Sequence, residues 1–209
     1  MSDNELRNPK KRIVIFASGT GTNAQNIIRF FNQGEVARVV LVLSNRRSAS
    51  VLEKASDESV EAQSFSRDDM YENGRVQGLL EKADPDLVVL AGFLLKFPAD
   101  ILENYQGKVI NIHPALLPKY GGKGMYGQHV HEAVVTNNEK ESGITIHYVN
   151  EQYDEGAIIF QKTLELDKDE TPTSLAGRIH QLEHTYFPLV IKKLLDGEAL
   201  HLPLKPEDL

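Results

Sequence analysis

Asn111-Ile112-His113-Pro114 sets an amide donor and a titratable imidazole two residues apart, and in an extended strand such positions face the same side. An amide and an imidazole facing one cleft have the chemistry to stabilise an oxyanion and to move a proton. Pro114 would stiffen the exit from the strand. The same residues also fit a polar strand end with a surface histidine. Asp154, in Tyr153-Asp154-Glu155-Gly156, is a carboxylate that could orient His113 or a water, or stand in solvent within an acidic hairpin loop. Ser18-Gly19-Thr20-Gly21-Thr22-Asn23 directly precedes a helical pattern. Glycines there permit close backbone approach, and a helix start offers free N–H groups and a partial positive charge. The segment lacks both the third glycine of the dinucleotide fingerprint and the Gly-Lys-Ser/Thr ending of a Walker loop; it reads as an anion site or, equally, as a tight turn with an N-cap. Glu183 and His184 fall in the last helical pattern, as site groups or as a solvated face. The 7 histidines invite a metal reading, but no pair is expected to combine His-x-x-x-His spacing with an intervening Glu, and no metal is expected.

The elements that must position these residues follow from periodicity. Arg12–Phe16 is a short β-branched run, followed by the glycine segment, a helical spacing over Ala24–Phe31 closed by Gly34, and a second, continuously apolar run over Val36–Ser44. A strand that apolar has no wet face and belongs in a parallel sheet covered on both sides. The alternation continues with a helix over Val51–Ser59, a strand near Ala62–Phe65, a helix over Asp68–Lys82 and a strand at Leu87–Leu90. Pro98 starts a helix running to Tyr105, and Val109–Ile112 is the strand that delivers His113. A Gly- and Pro-rich loop over Ala115–Gly127 precedes a short helix over Gln128–Thr136. Ile144–Val149 and Ala157–Lys162 are close enough in sequence to pair antiparallel, and Thr173–Leu195 is the last long helix. The expected fold is α/β: an open, twisted, mostly parallel sheet with helices on both faces and an antiparallel C-terminal part. No repeat or linker divides residues 1–209, so a single domain is expected, with polar tails at 1–11 and 201–209.

Composition narrows the functional classes. The chain has 209 residues, 23 Lys+Arg against 30 Asp+Glu, a net charge of −7 and no cysteine. Thiolate metal sites, disulfides and cysteine nucleophiles are excluded, and a reducing compartment fits. The dispersed basic residues argue against nucleic acid as a partner. No apolar run approaches the ~20 residues of a membrane span and no signal-peptide core is visible, so the expected location is cytoplasmic.

Taken in order, Ser18–Asn23, Ala91-Gly92-Phe93, Asn111–Tyr120 (Asn-Ile-His-Pro-Ala-Leu-Leu-Pro-Lys-Tyr) and Asp154-Glu155-Gly156 resemble the folate-dependent formyltransferases, from about Arg12 to about Leu195. The resemblance implies a Rossmann-like formyltransferase domain that passes a formyl group from 10-formyltetrahydrofolate to the amine of glycinamide ribonucleotide in purine biosynthesis, acting as a monomer or homodimer. It assigns residues 12–110 mainly to the nucleotide and 111–200 to catalysis and folate. It further implies Asn111, His113 and Asp154 as the catalytic trio, Gly21, Thr22 and Asn23 as the phosphate loop and Glu183 as a nucleotide contact. Phe93, Leu94, Leu95, Phe97, Asn150 and Glu151 fall where the family holds the folate. In this reading Asn111 and a protonated His113 stabilise the tetrahedral oxyanion, while Asp154 supports the imidazolium. Two departures stand out: Leu95 occupies a position that is often Arg, and Gly121–His129 replaces a Pro-Gly continuation by a longer glycine-rich segment, so neither His129 nor His131 is given a role.

Three other readings compete. A methionyl-tRNA formyltransferase would carry a further C-terminal domain, and a formyltetrahydrofolate deformylase a further N-terminal one; neither has room in this chain. A non-catalytic phosphate- or nucleotide-binding module would need only the glycine loop, and the joint presence of Asn111, His113 and Asp154 argues against it.

Overall fold

The computed structural model describes residues 10–197 and 200–209; most of the expected N-terminal tail lies outside the described residues. Seven strands form one sheet in the order β3-β2-β1-β4-β5-β6-β7. β1 (Lys11–Phe16), β2 (Ala37–Ser44), β3 (Glu61–Ser64), β4 (Leu87–Leu90) and β5 (Val109–His113) run parallel. β6 (Glu141–Tyr148) and β7 (Ile158–Glu165) close the sheet antiparallel, which is the expected architecture.

Alternation along the strands divides the core in two. Ile13 and Ile15 face α1 (Thr22–Asn32), α2 (Ser50–Asp57), α6 (Gln128–Thr136) and α7 (Pro172–Leu195). Val14 and Phe16 face α3 (Arg67–Tyr71), α4 (Arg75–Ala83) and α5 (Ala99–Asn104). All four of these β1 side chains are fully buried, the pattern required of a central strand covered on both faces.

Two sequence expectations change. The single helix over 68–82 is two: Ser66 and Asp69 form a capping box that starts α3, and Gly74, at φ 72°, breaks the chain before α4. The C-terminal tail is docked onto β7: the Leu204 N–H donates to the Ile159 carbonyl at 2.7 Å, and the Leu204 side chain is buried. α7 starts as expected, with Thr171 and Ser174 capping each other's N–H groups and Pro172 in the first turn. Among the described residues no helix is long and apolar enough to cross a membrane.

Candidate active site

The sheet order reverses between β1 and β4, and the loops leaving the carboxyl ends of such strands form the ligand crevice of open α/β sheets. A cavity of about 1000 Å³ lies there, lined by Thr20, Thr22 and Asn23 after β1, by Gly92–Leu94 after β4 and by Asn111–Pro114 at the end of β5. α7 supplies the facing wall through Ala176, Ile179, His180 and Glu183, three to four residues apart and therefore on one helical face.

Strand register brings the catalytic candidates together. Antiparallel pairing sets Asn111 opposite His147, and the Asn111 Nδ2 lies 3.1 Å from His147 Nε2. The loop between β6 and β7 turns back so that Asp154, at φ 57°, reaches both Asn111 (3.5 Å) and His113 Nδ1 (3.7 Å). Its second anchor is the Gly122 N–H, which donates to Asp154 Oδ2 at 2.9 Å.

Hydrogen-bond partners fix the proton positions. His113 Nε2 lies 2.7 Å from the Tyr120 carbonyl, which only accepts, so Nε2 carries a hydrogen and Nδ1 is the nitrogen that gains or loses a proton. The His147 Nδ1 likewise donates to the Tyr148 carbonyl at 2.9 Å, leaving Nε2 to accept from Asn111. One Asn111 N–H is thereby held; the other spans the long 3.5 Å contact to Asp154 and is the one a substrate oxygen can capture.

Burial decides the charge state. His113 is 3% exposed, and desolvation pulls its pKa below the ordinary histidine value despite the opposing pull of Asp154 and the Tyr120 carbonyl. A lowered pKa favours the neutral imidazole in the resting site, so the protonated His113 of the expected reaction would have to form during turnover. Burial works against the charge of Asp154 too, but its hydrogen-bonded surroundings, the Gly122 N–H among them, outweigh it and hold its pKa below the usual carboxylate range.

Between the cavity-lining Thr20 and Thr22, Gly21 sits at φ 69°, where a Cβ would collide with Val51. α1 starts immediately after it, with the N–H groups of Thr22 and Asn23 in its first turn. The Asn23 amide donates to Glu183 at 2.8 Å, while its Oδ1 is buried without a partner among the described residues. Desolvation raises the Glu183 pKa to about 7, the Asn23 bond opposing it. Glu183 is therefore a packed group and no solvated face.

A family model described as "Formyl transferase" matches residues 11–191. The chain belongs to the formyl transferase family. A phosphoribosylglycinamide formyltransferase from Bacillus subtilis is 37% identical over 191 residues, covering 88% of this chain and 95% of that protein. The trifunctional purine biosynthetic protein adenosine-3 of Drosophila melanogaster is 37% identical over 206 residues, 95% of this chain, which spans only 15% of the fly protein. Among solved structures, glycinamide ribonucleotide transformylase 1 from Geobacillus kaustophilus superposes with a TM-score of 0.81 at 36% identity, covering 89% of this chain and 99% of that one.

In this member of the family the fold brings Asn111, His113 and Asp154, and likewise Thr22, Asn23 and Glu183, to the lining of one cavity. Of the residues expected near folate, Phe93 and Leu94 line that cavity, whereas Leu95, Phe97, Asn150 and Glu151 do not. Phe97 is 3% exposed and packs edge-on against Phe16, so it supports Phe93, which meets the same ring. Sequence reasoning missed His147, visible only once β5 and β6 are in register, and His180, whose Nε2 lies 2.8 Å from Thr22 Oγ1. His180, Glu183 and His184 do have the helical spacing of a metal pair with an intervening carboxylate. Their side chains turn to other tasks, His180 to Thr22 and Glu183 to Asn23, and no group of three metal-ligating residues gathers among the described residues.

Proposed function

We propose that the chain transfers the formyl group of 10-formyltetrahydrofolate to the amine of glycinamide ribonucleotide, with Asn111, His113 and Asp154 as its catalytic residues. The observation that carries the reading is the meeting of an amide N–H, a neutral imidazole and an ionised carboxylate on one wall of a cavity that a helix start also lines. The substrate amine attacks the formyl carbon and forms a C–N bond, moving an electron pair onto the formyl oxygen. The Asn111 N–H that makes the long contact to Asp154 turns to the substrate and stabilises that oxyanion. His113 Nδ1 takes the proton released by the attacking nitrogen, and the imidazolium so formed is flanked by the Tyr120 carbonyl and Asp154. Returning this proton to N10 of the folate lets the C–N10 bond break as the carbonyl reforms, giving formylglycinamide ribonucleotide and tetrahydrofolate. Gly21, Thr22 and Asn23 hold the phosphate through backbone N–H groups, Glu183 orients Asn23 against the nucleotide, and Phe93 and Leu94 receive the folate. A cytoplasmic location belongs to the same proposal.

The test is to incubate the chain with 10-formyltetrahydrofolate and follow tetrahydrofolate with and without glycinamide ribonucleotide. A saturable dependence on the ribonucleotide is expected. Equal release without it would make the chain a hydrolase, and no release in either case would make it a binding module.

A further inference from the structure

The phosphate loop carries no Lys or Arg, and the cavity walls bring in the carboxyl groups of Asp154 and Glu183. A phosphate dianion placed there would meet the partial charge of one helix start, roughly half an elementary charge, and the ring of His180 beside Thr22, whose charged form burial disfavours. Among the described residues lining the cavity, Lys123 carries the single fixed positive charge. No hydrogen bond or ion pair within the described residues engages it. It rides on the glycine-rich segment that replaces the commoner family continuation, where Gly122, Gly124 and Gly127 all take positive φ values of 92°, 92° and 52°. The segment is tied to the catalytic centre by the Gly122 N–H bond to Asp154.

We propose that Lys123 is the cation that meets the phosphate of the amine substrate across the cavity from the α1 start. The inference rests on the ribonucleotide reading above. An ammonium could instead meet the carboxylates of the folate's glutamyl end, and the packing of the loop decides against that. Met125, two residues on, packs on the core cluster shared by α1 and α7. α6, which begins at Gln128, buries Val130 and Val134 in the same cluster. Phe93 and Val149, next to the segments expected to hold folate, pack on the cluster of the opposite face. Lys123 is thus mounted on the side of the sheet that carries the phosphate loop.

The test compares wild type, Lys123→Met and Lys123→Arg with glycinamide ribonucleotide and with its phosphate-free riboside. Lys123→Met is expected to raise the KM for the ribonucleotide about tenfold, the worth of one charge-assisted contact, more than it changes kcat or the folate KM. Lys123→Arg should recover most of the loss, and the riboside should respond little to either substitution. A ribonucleotide KM within twofold of wild type, an equal effect on the riboside, or a rise confined to the folate KM would each overturn the inference while leaving the reaction intact. Absence of ribonucleotide-dependent turnover in the wild type would overturn the reading and this inference together.

Discussion

The surroundings of His113, the base of the proposed reaction, pull in opposite directions, burial toward the neutral ring and Asp154 toward the imidazolium. That balance suits a group that must take a proton from an attacking amine and surrender it within one turnover. In the free enzyme His113 must be neutral to accept, so kcat/KM should rise with pH through its pKa. Asp154→Asn keeps the shape of the side chain but removes the charge that favours imidazolium. The histidine pKa then falls further, and the acid limb of the kcat/KM profile moves to lower pH. At neutral pH, where the wild-type ring is already neutral, this shift restores nothing, and the rate should drop at least about tenfold because the imidazolium loses its partner. An unchanged profile with full activity would show that Asp154 is not coupled to His113. Asn111 and His113 are legible from sequence because period-two alternation and the Pro after them need no tertiary information. Their true surroundings are not: the Tyr120 carbonyl that fixes the ring's hydrogen and the His147 ring that holds Asn111 depend on a loop path and a strand register that local patterns leave open.

At the scale of elements, the parallel strands announce themselves by unbroken apolar runs, as in Val39–Leu43, because both faces of the sheet are covered. The break between α3 and α4 is carried by Asn73-Gly74, a turn dipeptide that the apolar spacing over 68–82 masks. The C-terminal segment is misread for a related reason. Its composition is polar, yet one leucine suffices to anchor it, with the Leu204 backbone bonding at β7 and its side chain joining the α7 cluster. Leu204→Ala is expected to cost about 2 kcal/mol, the low end for a buried leucine at the margin of a core, seen as a fall in Tm of roughly 4–8 °C for a chain of this size. An unchanged Tm would mean that the segment adds nothing to stability.

For the molecule as a whole, a seven-stranded sheet brings both groups of residues used by the proposed reaction to the lining of one cavity. In the proposed reaction the phosphate would be held from α1, α7 and Lys123 of the loop after β5, and the proton moved at the ends of β5 and β6 with Asp154. Core residues back the walls of that cavity: Phe16 meets Phe93 and Phe97, and Val51 lies against Gly21. Membership of the formyl transferase family is readable from the ordered motifs, whereas of the six residues expected near folate only Phe93 and Leu94 reach the cavity, the strand-to-helix path carrying Phe97 back into the core. The account stands or falls on His113 as the proton carrier between the two substrates. Its most direct test is the single-turnover rate of formyl transfer, with both substrates saturating, in wild type and in a folded His113→Ala variant. The account predicts a fall of at least about a hundredfold with both substrates still bound; a rate near that of the wild type would contradict it.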